Sequence, residues 1–359
     1  WWRGGREVED WAFGLLDRDR RPKPALHAAA QVFMGPDVPT QDAWPDVSVV
    51  ICAYNAADTL EECLASLARL TYPGVEIIVV DDGSDDRSVE IARDMVGSLA
   101  NGKVLEQPNS GPGVAQNTGV DAATLPAIKF IDGDDLYPPD CALRMLTGLD
   151  LPGVALVHGD GQVMDDLGDD LRVDRQDKPP VFEVMENPLY YAVRHTLSGA
   201  SGILVDRQAF LACGGCDSTV FTQENSIIFR MAINSAFAFN KDIVLFSPPR
   251  DFRTEHGGHL GDDRVQMEHD RNAALHGLVR DFPDLPHAIK RLALKRAAGR
   301  SWNWARRINK KSLGRDKIFW VNLLAYLPWL PDYEKWLSMT TAPYRAGGKV
   351  RLPPAALKN

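Results

Sequence analysis

The sequence predicts an α/β fold: a mostly parallel sheet flanked by helices, with a helical extension at the C-terminal end. Three observations carry this prediction. From residue 46 onward, short apolar runs alternate with helix-patterned segments, the texture of strands joined by helical crossovers. Polar and acidic clusters stand at the C-terminal end of these runs, where ligands of open α/β sheets bind. From about Gly261 the pattern turns helical, with Leu275, Leu278, Leu292 and Leu294 spaced among many charges.

Taken in order, Val47 to Ala53 reads as a buried strand. Asp58 is placed to cap the next helix, with Glu61 three residues later completing a capping-box pattern ahead of Leu60, Leu64, Leu67 and Leu70. Val75 to Val80 is the second strand, and it runs into Asp81-Asp82-Gly83-Ser84 before a helix over Val89 to Val96. Lys103 to Glu106 is a short strand and Val114 to Ala123 a helix. Ala127 to Ile131 is a strand that stops at Asp132.

The 359 residues, 45% hydrophobic and 25% charged, can bury a large core, so a globular protein is expected. A formal net charge of -9 argues against a partner that is a nucleic-acid polymer, while a small anionic ligand held through a metal stays compatible. Five scattered cysteines do not make a disulfide framework and point to reduced thiols in a cytoplasmic setting. Cys213-Gly-Gly-Cys216 lacks the second Cys or His pair of a zinc site and reads as structural.

Both ends of the chain differ in texture from its middle. The chain opens on Trp1-Trp2 without an initiator Met or an apolar signal region, which suggests a segment cut from a longer protein. Residues 1–40 form an N-terminal linker or the remnant of an upstream domain: Trp11 to Leu26 resembles the last strand and helix of a barrel-type glycoside hydrolase, followed by a helical stretch from Ala25 to Phe33. Between Leu285 and Ile318 there are eleven Lys or Arg against the single acid Asp316, and an aromatic-rich run follows directly. That juxtaposition suits peripheral contact with the inner face of a membrane or an anionic partner, although a solvated basic face over a core helix is the simpler reading. The longest apolar run, Ile318 to Leu330, is 13 residues, too short for a spanning helix, which needs about 20.

Chemistry concentrates in three loops. Asp132 and Asp134, in Asp132-Gly133-Asp134-Asp135, stand on the turn after a buried strand and can converge on a hard cation such as Mn²⁺ or Mg²⁺, with Gly133 letting the turn bend tightly. Ordinary turn chemistry is the competing reading. Asp81-Asp82 ends the neighbouring strand, where a carboxylate can accept a hydrogen bond from a base N–H, or simply shape a loop and helix cap. Asn109-Ser-Gly-Pro-Gly-Val-Ala-Gln-Asn117 leads a glycine-bearing turn into a helix N-terminus, where backbone N–H groups meet a phosphate or a neighbouring loop. It lacks the Gly-Lys-Ser/Thr ending of a Walker motif.

The order and spacing of Val47 to Asn55, Val79 to Asp86, Asn109 to Gly119 and Phe130 to Asp135 resemble glycosyltransferase family 2, enzymes of the GT-A fold, over residues 46–260. The resemblance implies a nucleotide-diphosphate sugar donor, usually a UDP-sugar, a divalent metal, and a C-terminal helical region over 261–359. It places the nucleoside at Ala53, Tyr54, Asn55 and Asp82, and the metal at Asp132 and Asp134. The turn carrying Asn109, Gly113 and Asn117, together with Asp132 and Gly133, completes the donor site. Arg253-Thr-Glu-His256-Gly-Gly resembles the segment that would bring His256 to the diphosphate or the metal, with a surface histidine as the competing reading. Where the family often has Ala-Arg-Asn, this chain has Ala115-Gln116-Asn117, so a positive charge near the donor is missing.

Counting back from Arg230, after Gly214-Gly215-Cys216-Asp217 in place of the usual Gly-Gly-Phe-Asp, puts Glu224 at the position of the catalytic base. The other register leaves Asn225 there and implies a crippled enzyme. The expected reaction is inverting, metal-dependent transfer to a saccharide or lipid-linked acceptor hydroxyl. It is non-processive, because Gln-x-x-Arg-Trp and spanning helices are missing. A non-catalytic nucleotide-sugar-binding or scaffold domain is one alternative, motivated by Gln116 and Asn225. A nucleotidyltransferase is another, although it needs a Gly-rich basic signature where this chain has Ala53-Tyr-Asn-Ala-Ala57.

Overall fold

A computed structural model describes residues 2–3, 6–7, 46–68, 75–97, 99, 101–138, 141–164, 180–195, 200–221, 224–247, 263–308, 315–346 and 350–357. The chain forms two compact units, Trp1–Trp44 and Pro45–Asn359. In the first, strands β1 (Trp2–Arg3) and β2 (Arg6–Glu7) form a minimal antiparallel pair with Trp2 opposite Glu7. The stretch that resembles a hydrolase barrel, and the helix expected over Ala25 to Phe33, lie outside the described residues.

The second unit is built on eight strands: β3 (Val47–Ala53), β4 (Val75–Asp81), β5 (Gly102–Glu106), β6 (Ala127–Asp132), β7 (Val154–Val163), β8 (Phe182–Met185), β9 (Ile203–Asp206) and β10 (Ala236–Ser247). Their order across the sheet is β5-β4-β3-β6-β9-β7-β10-β8. The pairs β3/β4, β4/β5, β3/β6 and β7/β10 are parallel, whereas β9 runs antiparallel to both β6 and β7, and β8 antiparallel to β10. This is the mostly parallel sheet that the sequence predicts.

Period-two geometry sorts each strand between two cores. Val50, Ile78, Val80, Ile128 and Phe130 face one core; Val49, Ile51, Ile77, Val79 and Ile131 face the other. Helices α1 (Leu60–Ala68), α2 (Ser88–Val96) and α4 (Cys141–Leu149) cover the second core through Leu60, Leu64, Leu67, Val96 and Met145. The first is covered by α3 (Pro112–Ala122), α6 (Arg207–Ala212) and α7 (Glu224–Met231) through Ala115, Val120, Phe210 and Ile227. A short α5 (Pro188–Arg194) adds Ala192 and Val193.

The C-terminal helices α8 (Arg264–Asp281), α9 (His287–Arg307), α10 (Lys317–Leu324), α11 (Tyr333–Ser338) and α12 (Ala342–Arg345) follow. Leu275, Leu278, Ile289 and Leu294 join the same core as Phe130 and Ile227, so this helical region and the sheet share one hydrophobic interior. Helix α1 starts at Leu60, which puts Thr59 rather than Asp58 at its first turn; the Thr59 hydroxyl donates to Ala56 O and Gly133 O.

From β3 the chain steps outward through β4 to β5, then returns to lay β6 on the other side of β3. The sheet order therefore reverses between β3 and β6, and a crevice opens at the C-terminal ends of those strands.

Candidate active site

Three loops reach that crevice because their strands are in register. Cys52 pairs with Asp132 across β3/β6, and Ala53 with Asp81 across β3/β4. The residues after Ala53, Asp81 and Asp132 thus leave the sheet at one level.

The loops after β3 and β4 are stitched together. Asn55 N–H donates to Ser84 Oγ at 2.9 Å, and Asn55 Oδ1 accepts from Asp85 N–H at 2.9 Å. Asn55 adopts φ 49°, a left-handed conformation that asparagine tolerates better than most residues. Asp86 accepts from Ala57 N–H at 3.0 Å and Ser88 N–H at 2.9 Å. Burial pushes the Asp86 carboxyl up, but the hydrogen bonds from Ser88 and Ala57 outweigh it and hold the group below the ordinary carboxylate range. Tyr54, between the end of the buried strand and the anchored Asn55, is 47% exposed.

Asp82 is buried and acts as a latch. Oδ1 accepts from Gln107 Nε2 at 2.7 Å and Ser110 N–H at 2.9 Å, and Oδ2 accepts from Gly111 N–H at 2.8 Å. Burial raises the Asp82 pKa against the pull of these bonds. The carboxylate expected to meet a base N–H thus fastens the loop before α3 to the end of β4. Gly111 follows at φ 89°, and a Cβ there would stand 3.0 Å from the Phe221 ring, so both conformation and space favour glycine. Gly113 is buried in the first turn of α3, and Asn109 is exposed.

In the acidic turn, Asp132 and Asp134 are partly exposed, whereas Asp135 is buried and accepts from Ser247 Oγ at 2.8 Å. Burial, reinforced by Asp134 and Asp132, pushes the Asp135 carboxyl up to about 7. Three carboxylates on four residues thus divide: two toward solvent, one turned inward. Among the described residues no group of three His, Cys, Asp or Glu side chains is arranged to hold a metal ion. Two accessible carboxylates nonetheless fit Mg²⁺ or Mn²⁺, which takes oxygen ligands and fills its remaining positions with water and phosphate oxygens. Gly133 differs from expectation: its φ is not positive, and an added Cβ would meet Cys52 O and Leu60 Cδ1 only at 3.5 Å. The turn itself does not require glycine's conformational freedom.

Beneath this turn lies a residue that sequence reasoning missed. Lys129 is buried in β6, donates to Ser201 O and, at 3.1 Å, to Phe130 O, and lies 5.2 Å from the Tyr137 ring centroid. Ser201 Oγ in turn accepts from Asp132 N–H at 3.1 Å. Burial lowers the Lys129 pKa to about 8, while Cys141, Asp135 and Asp132 oppose that fall. The signal was a single charge inside the apolar run Ala127-Ile-Lys-Phe-Ile131.

The third stretch braces the far wall. Asn117 Nδ2 donates to Cys216 O at 2.9 Å, and Asn117 Oδ1 accepts from Cys216 N–H at 2.8 Å. Gly215, at φ 64°, leaves room for that amide, since a Cβ would stand 2.5 Å from Asn117 Oδ1. Gln116 is buried, and its Oε1 accepts from Cys216 Sγ at 3.2 Å. The two departures from the family pattern, Gln116 and Cys216, therefore touch each other, and an arginine at 116 would carry its charge into the core. Burial raises the Cys213 and Cys216 thiol pKa values, and both cysteines are free, in keeping with a structural role.

Glu224 opens α7, directly after this wall; its side chain, like that of Asn225, lies outside the described residues, as do Gln223, His256 and its loop. Helix α7 is tied to α8, since Arg230 pairs with Asp281, and Arg280 donates to Asp217 at 3.1 Å and to Asp281 at 2.6 Å.

Comparison with known proteins agrees with this geometry. The profile of Glycosyl transferase family 2 matches residues 48–207, the span that contains all three loops. EpsJ of Bacillus subtilis, an uncharacterized glycosyltransferase, is 46% identical over 103 residues, which is 29% of this chain and 30% of that protein. The chain therefore matches less than a third of that relative's length. Among solved structures, residues 1–349 of S. aureus TarS in complex with UDP-GlcNAc superpose with a TM-score of 0.57 at 17% identity, covering 84% of this chain and 92% of TarS 1–349. Mannosyltransferase PcManGT from Pyrobaculum calidifontis, solved with GDP-Man and Mn²⁺, gives a TM-score of 0.50 at 19% identity over 90% of this chain and 93% of its own. At such identities the likeness concerns the GT-A-like fold, whereas the family profile concerns the sequence. Residues 48–207, somewhat under half of the chain, thus match the glycosyltransferase family 2 profile, and the solved structures share the fold.

Proposed function

We propose that the protein transfers a sugar from a nucleoside diphosphate donor, a UDP-sugar, to the hydroxyl of a saccharide or lipid-linked acceptor, one or a few residues at a time. One observation carries this reading: the ends of β3, β4 and β6 bring an exposed tyrosine, a latched glycine turn at a helix start, and two accessible carboxylates to the switch point of the sheet. Tyr54 and Asn55 face the nucleoside, with Ala53 and Asp82 shaping the floor. Backbone N–H groups around Asn109 and Gly113 orient the donor toward the acidic turn, and Asn117 supports the wall behind them.

Asp132 and Asp134 would hold Mn²⁺ or Mg²⁺, with Gly133 between them and His256 beside the diphosphate. The ion supplies neutralisation of the charge that develops on the departing diphosphate. Glu224 accepts the acceptor proton as that oxygen attacks the anomeric carbon; the bond from this carbon to the diphosphate oxygen breaks, and configuration inverts. General-base assistance contributes about 10²- to 10⁴-fold, so alignment of donor and acceptor must supply much of the remaining acceleration. Five free thiols support a reducing, cytoplasmic setting.

The reading is tested by screening nucleotide sugars for release of nucleoside diphosphate with Mn²⁺ and with EDTA, in the parent protein and in Glu224→Gln. Metal-dependent release with at least one donor, and loss of transfer with retained UDP binding in the variant, is the expected outcome. UDP and Mn²⁺ binding with neither hydrolysis nor transfer for any donor would assign a non-catalytic binding domain. Pyrophosphate release from UTP and a sugar phosphate would assign a nucleotidyltransferase.

A further inference from the structure

The C-terminal helices carry a surface outside the residues assigned above to sugar transfer. Helices α9 and α10 pack antiparallel: Trp302 meets Phe319 with ring centroids 5.2 Å apart, Gly299 lies against Asn322, and the Lys295 ammonium sits 4.9 Å from the Tyr326 ring centroid. Buried Ile318, Val321 and Ala325 hold the inner side of α10 and the turn after it. Lys317, Trp320 and Leu323 recur at three-residue spacing on the outer side, and exposed Tyr326, Leu327 and Trp329 follow in the turn after the helix. Trp320 is 51% exposed, Leu323 53%, Tyr326 64% and Trp329 66%, so this stripe is solvent-facing in a chain that buries most large apolar side chains.

One end of the hairpin is basic. Arg306 and Arg307 close α9 beside exposed Ile308, and Arg315 and Lys317 open α10, all four cations exposed. The nearby acids are accounted for. The Asp316 carboxylate accepts from Ile318 N–H, the Asp332 carboxylate from Lys335 N–H, and Glu334 lies 3.9 Å from His276. This cationic end stands out on a chain of formal net charge -9.

We infer that this hairpin docks on an anionic lipid surface, with Trp320, Leu323, Tyr326, Leu327 and Trp329 entering the headgroup region and Arg306, Arg307, Arg315 and Lys317 meeting lipid phosphates. Tryptophan and tyrosine, apolar in body and polar at the edge, are the side chains that settle at a membrane interface. Amphipathic helices with cations beside such residues lie in its plane. Charge favours lipid: an anionic bilayer complements the four clustered cations, and self-association through the same patch is a separate outcome of the test. No helix among the described residues is long and apolar enough to cross a membrane, so the contact is superficial.

The test is flotation of the whole 359-residue chain with vesicles of phosphatidylglycerol and phosphatidylcholine, against phosphatidylcholine alone, at low and high salt. Each basic residue near an anionic surface is worth about fivefold in partitioning, so binding to the anionic vesicles should exceed binding to neutral ones at least about tenfold and weaken as salt rises. Trp320→Ser with Trp329→Ser should cut binding about tenfold, and Arg306→Glu with Arg307→Glu should remove the salt-sensitive part. These positions are exposed, and circular dichroism verifies that the variants fold. Absence of flotation, equal flotation with neutral vesicles, or binding unchanged by both variant pairs overturns the inference. So does a dimer in light scattering that the same tryptophan substitutions dissolve.

Discussion

Replacing Asp82 with asparagine separates a loop latch from a direct nucleoside ligand. The carboxylate accepts three hydrogen bonds, two through Oδ1 and one through Oδ2, and Gly111, which donates to Oδ2, is buried. Asparagine has the same shape but only one acceptor oxygen. With that oxygen toward Gln107 and Ser110, its NH₂ faces the Gly111 N–H, and a buried donor is left unpaired at a cost of about 1–3 kcal/mol. The two retained bonds weaken as the acceptor loses its charge. Relief from burying a carboxylate, visible in the raised Asp82 pKa, offsets part of this. A net loss of about 2 kcal/mol follows, which in a unit of this size lowers the melting temperature by about 4 °C. Scanning calorimetry measures it, with UDP titration in Mn²⁺ alongside. A melting temperature within about 1 °C of the parent, combined with lost UDP binding, would refute the latch and make Asp82 a base-reading ligand.

Other substitutions probe the 214–217 turn and the helices packed around it. Asn117→Ala removes both bonds to the Cys216 backbone and should cost about 2 kcal/mol in thermal unfolding while UDP affinity changes less than about fivefold; a larger affinity loss without destabilisation would make Asn117 a ligand instead of a brace. Gly277→Ala, in the middle of α8, would on helix propensity alone stabilise by about 1 kcal/mol. A Cβ there would stand 1.9 Å from Asp217 Oδ2, so a loss of about 1–3 kcal/mol is expected, and a stabilised variant would contradict the close packing of α8 on the 214–217 turn. At Asp281, burial pushes the carboxyl up but hydrogen bonds from Arg280 and Arg230 pull it further down, for a net lowering from 3.8. Such a group contributes stability above its unfolded pKa and loses it as pH falls through the lower folded value. The parent should therefore shed more stability than Asp281→Asn on acidification below about pH 4, and parallel acid-unfolding curves would contradict this.

Much of the site's frame was legible because it is local. A buried strand followed by an acidic turn appears twice in sequence as it does in space, at Asp81-Asp82 and at Asp132 to Asp135, and strand register brings those turns together with the loop after Ala53. What stayed hidden depends on partners far along the chain. Asp82 is latched from residues 25 to 29 positions later, and Asn117 is bonded to a turn 99 positions away, so neither commitment has a sequence pattern. Gln116 read as a lost charge, whereas its burial against Cys216 makes it half of a matched pair. The antiparallel insertion of β9 between β6 and β7 was equally unreadable, since four residues, Ile203–Asp206, carry no direction in their composition. Gly133 shows the opposite case: its residue type suggested a bend that only glycine allows, and its backbone φ is not positive.

The central claim is that the crevice between β3 and β6 takes a nucleoside diphosphate through a metal on the turn after β6. Calorimetric titration of UDP into the parent and into Asp134→Asn, each with Mn²⁺ and with EDTA, addresses it most directly. Binding in the parent that needs Mn²⁺, and falls at least about tenfold in the variant, is the predicted result. UDP binding that ignores both the metal and the substitution, or no binding under any condition, would contradict it.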